Sequence, residues 1–115
     1  MSALDVPGSL DAAHVHVPLE PVPAELVLDG EPRWGTVVLG EVEGAEIGVW
    51  ELTPGTMTDT EVDEVFVVLS GEASVTLPDG EVLALGPGSV GRLAAGMRTR
   101  WVVTRTVRKV YLAQG

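Results

Sequence analysis

The chain has 115 residues, 45% of them hydrophobic, which gives room for one domain and little more. It has no cysteine, which excludes disulfides, iron–sulfur clusters, thiolate zinc sites and thiol nucleophiles. Seventeen acidic residues against seven basic ones give a net charge of −10, which argues against a nucleic-acid partner. No apolar run approaches the roughly 20 residues of a membrane helix. Met1–Leu10 carries neither the basic start nor the apolar stretch of a secretory leader, so the expected compartment is the cytoplasm.

Residues 1–30 differ from the rest. Pro7, Pro18, Pro21 and Pro23 interrupt regular pairing, and His14-Val15-His16-Val17 alternates for only four residues. This stretch is expected to be an irregular arm or an edge strand, leaving residues 31–115 for a barrel. The His14/His16 pair has the H-x-H spacing of a metal site but no third ligand nearby in sequence. An arm lying along a sheet edge, or crossing to a partner subunit, is the expected role.

From Trp34 onward, short apolar runs alternate with turn signals and nothing has helical periodicity. Strands are expected near Trp34–Glu41, Ala45–Thr53, Glu64–Leu69, Ala73–Leu77, Glu81–Leu85, Ser89–Leu93, Thr99–Thr104 and Val107–Ala113. Pro54-Gly55, Ser70-Gly71, Gly86-Pro87-Gly88 and Ala95-Gly96 stand as turns between them. Pro78-Asp79-Gly80 is the strongest hairpin signal, because Asp-Gly tolerates the positive φ of a tight turn. Strands about 8 to 12 residues apart make an all-β sandwich or barrel.

Side chains alternate across a strand, so parity sorts each run into faces. Thr99, Trp101 and Val103 form an inward face opposite Arg100 and Val102. Gly48, Trp50 and Leu52 share a face opposite Val49 and Glu51. Glu64 has the parity of Phe66 and Val68, which places a carboxylate in an apolar row. A lone buried carboxylate costs several kcal/mol, so Glu64 needs a cation, a donor or a metal. In Val107–Leu112, Arg108 and Val110 share one face, Lys109 and Tyr111 the other. Each face brings one cation, and parity leaves open which one meets Glu64. Asp59, Glu61, Asp63 and Glu64 form an acidic cluster without the glycine and terminal glutamate of a calcium loop, and the first three are expected in a solvated loop at the barrel mouth. Arg92, Arg98, Arg100 and Arg105 are expected to face solvent.

These runs carry a family likeness. Glu64 and Gly71 fit the closing E-x6-G of G-x5-H-x-H-x(3,4)-E-x6-G, with Gly55 near its opening glycine, and Gly88, Ala94, Gly96, Thr99 and Val103 fall on G-x5-P-x-G-x2-H-x3-N. Over residues 45–113 the chain resembles a cupin, which implies a double-stranded β-helix, or jelly-roll, barrel. The two histidine positions of the first motif fall on Met57 and Asp59, or on Thr58 and Thr60, and the histidine of the second on Thr99. One surviving ligand, Glu64, does not hold a transition metal, so no metal and no cofactor are expected. Gly48–Gly55, Asp63-Glu64-Val65, Leu69-Ser70-Gly71, Thr99–Val103 and Val107–Tyr111 resemble more narrowly the third cupin group, largely of unknown function. That group is similar to the cupin halves of (S)-ureidoglycine aminohydrolase and, more distantly, to ethanolamine-utilisation cupins.

The resemblance and the parity together point to a metal-independent barrel that binds a small polar metabolite. Trp50, Glu64, Phe66, Thr99, Trp101, Arg108 and Tyr111 are the candidate ligand-binding residues, and Glu64 and Lys109 are the candidate catalytic pair. Two alternatives stand beside it: a lyase or aminohydrolase of ureidoglycine type that uses Glu64 as acid and base, and a filled barrel that acts only by association. A homodimer is expected, because the Val37–Leu39 strand needs cover that an arm from a second copy would give.

Overall fold

A computed structural model describes residues 2–114. Met1, at the outer end of the expected arm, and Gly115, at the end of the expected barrel, lie outside the described residues. The strands are β1 (Glu20–Pro21), β2 (Val27–Asp29), β3 (Arg33–Val42), β4 (Ala45–Leu52), β5 (Gly55–Thr60), β6 (Asp63–Thr76), β7 (Val82–Leu85), β8 (Val90–Leu93) and β9 (Arg98–Gln114). One turn of 3-10 helix, Ala24–Leu26, leads into β2. Among the described residues, no helix is long and apolar enough to cross a membrane.

Two long strands organise everything else. β6 and β9 run antiparallel over most of their length, and each serves two sheets. The early half of β9 pairs with β5 and with the late half of β6, which carries β7 on its other side. The late half of β9 pairs with β4 and with the early half of β6, which carries β8. The single nine-stranded sheet therefore folds over into two facing layers, β1-β3-β4-β9-β6-β8 and β2-β5-β9-β6-β7. This is the expected jelly-roll barrel.

The breaks expected at Ser70-Gly71 and between Thr104 and Val107 are not chain reversals. They are irregularities where β6 and β9 cross from one layer to the other, with the register shifting between Val68 and Ala73. Gly71 sits there at φ 95°, and a Cβ on it would run into the carbonyl of Thr106. Only glycine allows that approach. A second difference is β5, which the sequence pattern hides. Thr56, Thr58 and Thr60 read as polar loop, but threonine suits a strand, and the alternate residues Met57 and Asp59 pair opposite Trp101 and Thr99 of β9.

The main core fills the barrel with Leu52, Met57, Phe66, Val68, Val75, Leu93, Trp101 and Val107, all almost fully buried. A second cluster lies outside it. Residues 2–19 hold no strand or helix, and Leu4, Leu10, Val15, Val17 and Leu19 pack onto Val37, Leu39, Ile47, Val49 and Val110. The Leu4 amide donates to the Leu39 carbonyl at 2.6 Å. Val49 is thus fully buried despite its outward parity. The cover that Val37–Leu39 was expected to take from a second subunit comes from the same chain.

Candidate functional site

Neighbouring strands line up their inward residues at one end of the barrel. β4 contributes Glu46, Gly48 and Trp50, and these pair across to Ala113, Tyr111 and Lys109 of β9. β6 places Glu64 opposite Ala113 and Phe66 opposite Tyr111. The result is a cavity of about 240 Å³ lined by residues that include Glu46, Trp50, Asp59, Glu61, Glu64, Trp101, Lys109 and Tyr111, with Thr36 at its edge. A larger hollow of about 490 Å³ lies between Pro21–Val27 and Gly30–Arg33. Its walls are mostly proline, apolar side chains and backbone, so the chemistry sits at the barrel mouth.

The ambiguity over the last strand resolves in favour of Lys109. Its Nζ donates to Glu64 Oε1 at 2.5 Å, and both side chains are at least nine-tenths buried. The ammonium also lies 4.4 Å from the Trp50 ring centroid, 4.6 Å from Phe66 and 5.1 Å from Trp101. Attraction to these ring faces offsets part of the hydration that the ammonium gives up. Trp50 and Trp101 pack against each other at 5.0 Å with a 56° tilt.

Arg108 does not belong to the site. It points to the opposite face, where Nε donates to Glu51 Oε1 at 3.0 Å and NH1 to the carbonyls of Ala12 and Val15. It fastens the N-terminal segment to the barrel. Phe66 and Thr99 lie beneath the cavity and not in its wall: Phe66 packs under Lys109, and Thr99 donates to Glu61 Oε2 at 2.5 Å. Trp50, Glu64, Trp101, Lys109 and Tyr111 line the cavity. Tyr111 lies over Gly48, where a Cβ would collide with its ring, and donates to Glu46 Oε2 at 2.7 Å. Burial, together with that bond, holds its hydroxyl well above the usual range.

Glu46, Asp59 and Glu61 join the site although sequence reasoning left them out. Glu61 is not in a solvated loop: it is 7% exposed and accepts from both Thr99 and Trp101 Nε1. Asp59 faces inward from β5. Burial lifts its carboxyl to about 6, with Glu61 adding to the rise and the Thr60 amide and Lys109 opposing it. Glu46 was legible from the parity of Trp50, whereas Asp59 required β5 to be seen as a strand, and Glu61 lies just past its end, in the connection to β6. His14 lies outside the barrel, bonded to exposed Asp11 at 2.6 Å, a contact that lowers the Asp11 carboxyl.

The inward parity of β5 also selects Met57 and Asp59 as the two histidine positions of the cupin motif. Of the four ligand positions, Met57 is fully buried among apolar groups, Asp59 is a half-buried carboxylate that accepts from the Thr60 amide, Glu64 holds Lys109, and Thr99 bonds Glu61. Among the described residues, no three His, Cys, Asp or Glu gather around a point that suits a metal ion. This donor set does not fit a transition metal.

The family model of the EutQ-like cupin domain matches residues 39–111. The chain belongs to this family. No curated protein matches it. Among solved structures, this cupin is similar to a protein of unknown function of the DUF861 family from Pseudomonas syringae pv. tomato, with 24% identity, a TM-score of 0.77 and 91% of this chain covered. It spans only 46% of that protein's chain. The EutQ protein of Clostridium difficile gives 20% identity and a TM-score of 0.71, with 92% of this chain and 85% of that one covered. A protein of unknown function from Rhizobium leguminosarum gives 26% identity and a TM-score of 0.64, with coverage of 70% and 80%. The Pseudomonas and Clostridium likenesses speak to the cupin fold alone, and none of these comparisons bears on a ureidoglycine aminohydrolase.

Two outcomes follow from this geometry. Glu64→Gln or Lys109→Met alone strands a buried charge and is expected to cost about 3 kcal/mol. The double variant should lose about 2 kcal/mol less than the sum of the two. Urea denaturation of all four proteins measures the coupling, and additive losses would contradict a mutually compensating pair.

Asp59 titrates near 3.8 when unfolded and at about 6 when folded. The folded state therefore binds more protons in that window, and stability falls as pH rises through it. Asp59→Asn should remove this fall and add about 1 kcal/mol at neutral pH, a value discounted for the partial solvation of the carboxyl. Thermal melts on either side of the window test this, and an unchanged pH slope would refute it.

Proposed function

We propose that this cupin is a metal-independent binding protein that holds a small polar metabolite at the barrel mouth, in a cytoplasmic setting. The observation that carries the proposal is the Glu64–Lys109 pair: where the cupin motif offers its glutamate to a metal, this chain offers it to its own ammonium. A cavity with aromatic walls and a few converging polar groups is the usual form of a small-molecule site. Its opening counts against a filled barrel.

A second reading, an enzyme of lyase or aminohydrolase type, draws on Asp59 more than on Glu64. Glu64 is committed to Lys109, whereas Asp59, half-buried and titrating at about 6, suits a general base near neutral pH. Substrate turnover that survives Asp59→Asn would end that reading.

A homodimer is also proposed, on a different face from the one the sequence suggested. Val65, Val67, Val90 and Leu112 are exposed and adjoin across β8, β6 and β9. The Arg92–Asp63 pair at 3.7 Å flanks them, so a two-fold copy would meet both the apolar strip and the opposite charges. A monomer mass by light scattering at micromolar concentration would exclude it.

The binding proposal is tested at the rim. Thr36 is exposed and belongs both to the cavity and to the outer groove that continues from it. Thr36→Trp should close the mouth without disturbing the core. In a thermal-shift screen of small polar metabolites, compounds that raise the melting temperature of the wild type should leave this variant unchanged. Equal shifts in both proteins, or none in the wild type, would defeat the proposal.

A further inference from the structure

The wall of the cavity is rich in hydrogen-bond acceptors and short of donors. Four carboxylates line it, Glu46, Asp59, Glu61 and Glu64, against one basic side chain, Lys109, which is already bonded to Glu64. Of the other donors, the Tyr111 hydroxyl is committed to Glu46 and the Trp101 indole N–H to Glu61, which leaves the Trp50 indole N–H and the Thr36 hydroxyl at the rim. Glu61 is the informative residue. It is 7% exposed, its Oε2 takes two hydrogen bonds, and its Oε1 receives none from the described residues. Since no buried side-chain nitrogen or oxygen among those residues lacks a partner, this oxygen keeps some exposed surface, and Glu61 lines the cavity.

An anion entering here would face several carboxylates, with the one cation already neutralised. A neutral polar molecule would satisfy part of the acceptor set. A cation with several N–H groups would satisfy most of it, and Trp50 and Trp101 offer ring faces, which attract positive charge. The volume of about 240 Å³ equals that of roughly eight waters at ~30 Å³ each, which limits the guest to a small molecule. We propose that the cavity selects a small organic ammonium ion and rejects carboxylates of the same size. This rests on the cavity being the ligand site, and it sharpens what that ligand is.

The test follows the Trp101 indole N–H by proton–nitrogen NMR, because that group bonds Glu61 directly. The probes are propylammonium chloride, propanamide and sodium propionate, with sodium chloride at equal ionic strength as the control. Propylammonium should give a saturable shift at least about tenfold tighter than propanamide, and propionate should move the peak no further than sodium chloride does. Glu61→Gln keeps an oxygen for Thr99 and Trp101 but removes the charge, and should weaken the ammonium about tenfold or more. Asp59→Asn should act in the same direction.

Propanamide or propionate binding as tightly as the ammonium would overturn the charge rule while leaving the cavity a ligand site. Sodium chloride moving the peak as far as propylammonium would reduce the effect to a counter-ion and overturn the proposal. No response to any probe, with the metabolite screen also failing, would overturn both the proposal and the ligand site.

Discussion

A carboxylate inside a barrel must have its charge answered from within. Glu64 stands in an apolar row between β8 and β9, and Lys109 answers it at 2.5 Å. The other contacts of the pair follow from this. The ammonium needs more than one partner to offset its lost hydration, and the rings of Trp50, Phe66 and Trp101 gather around it. Those rings then form the floor and wall of the cavity. The same pair answers the question the cupin motif raises, because the glutamate's negative charge is met by a covalently tethered cation.

The barrel makes this arrangement possible because β6 and β9 each serve two layers. One crossing point, at Gly71 against Thr106, lets both strands turn without losing their pairing. It also brings β5, β4 and β6 around one end, so that Asp59 and Glu61 from one layer meet Glu64 and Lys109 from the other. The N-terminal segment works on the opposite face. Held by Arg108, it covers the strip formed by β3, β4 and β9 and frees the barrel interior from having to supply all of the stability.

Much of this was legible in the sequence, and the gaps have physical causes. The all-β fold followed from the spacing of turns and apolar runs, and the inward faces of Trp50, Trp101 and Glu64 followed from parity alone. Parity could not choose between Arg108 and Lys109, because each shares its face with an apolar neighbour. The choice depends on what covers the outer face, and that cover comes from residues nearly a hundred positions away. β5 was missed because its outward residues are threonines and its inward ones include Asp59, so it lacks the apolar alternation that marks a strand. With β5 missing, Asp59 and Glu61 looked like solvent-facing acids. The break at Ser70-Gly71 looked like a turn because glycine marks both a reversal and a bulge, and the one near Thr106 because Thr104-Arg105-Thr106 interrupts the apolar alternation.

The proposed function turns on Lys109, and not a metal, being the partner of Glu64. Elemental analysis by mass spectrometry of untagged, gently purified protein addresses this most directly. The expected result is less than about a tenth of an equivalent of any transition metal, since the donors at Met57, Asp59 and Thr99 do not make a binding set. Near-stoichiometric metal that survives dialysis would contradict it, and would mean that the carboxylates around the cavity build a centre that the ion pair does not pre-empt.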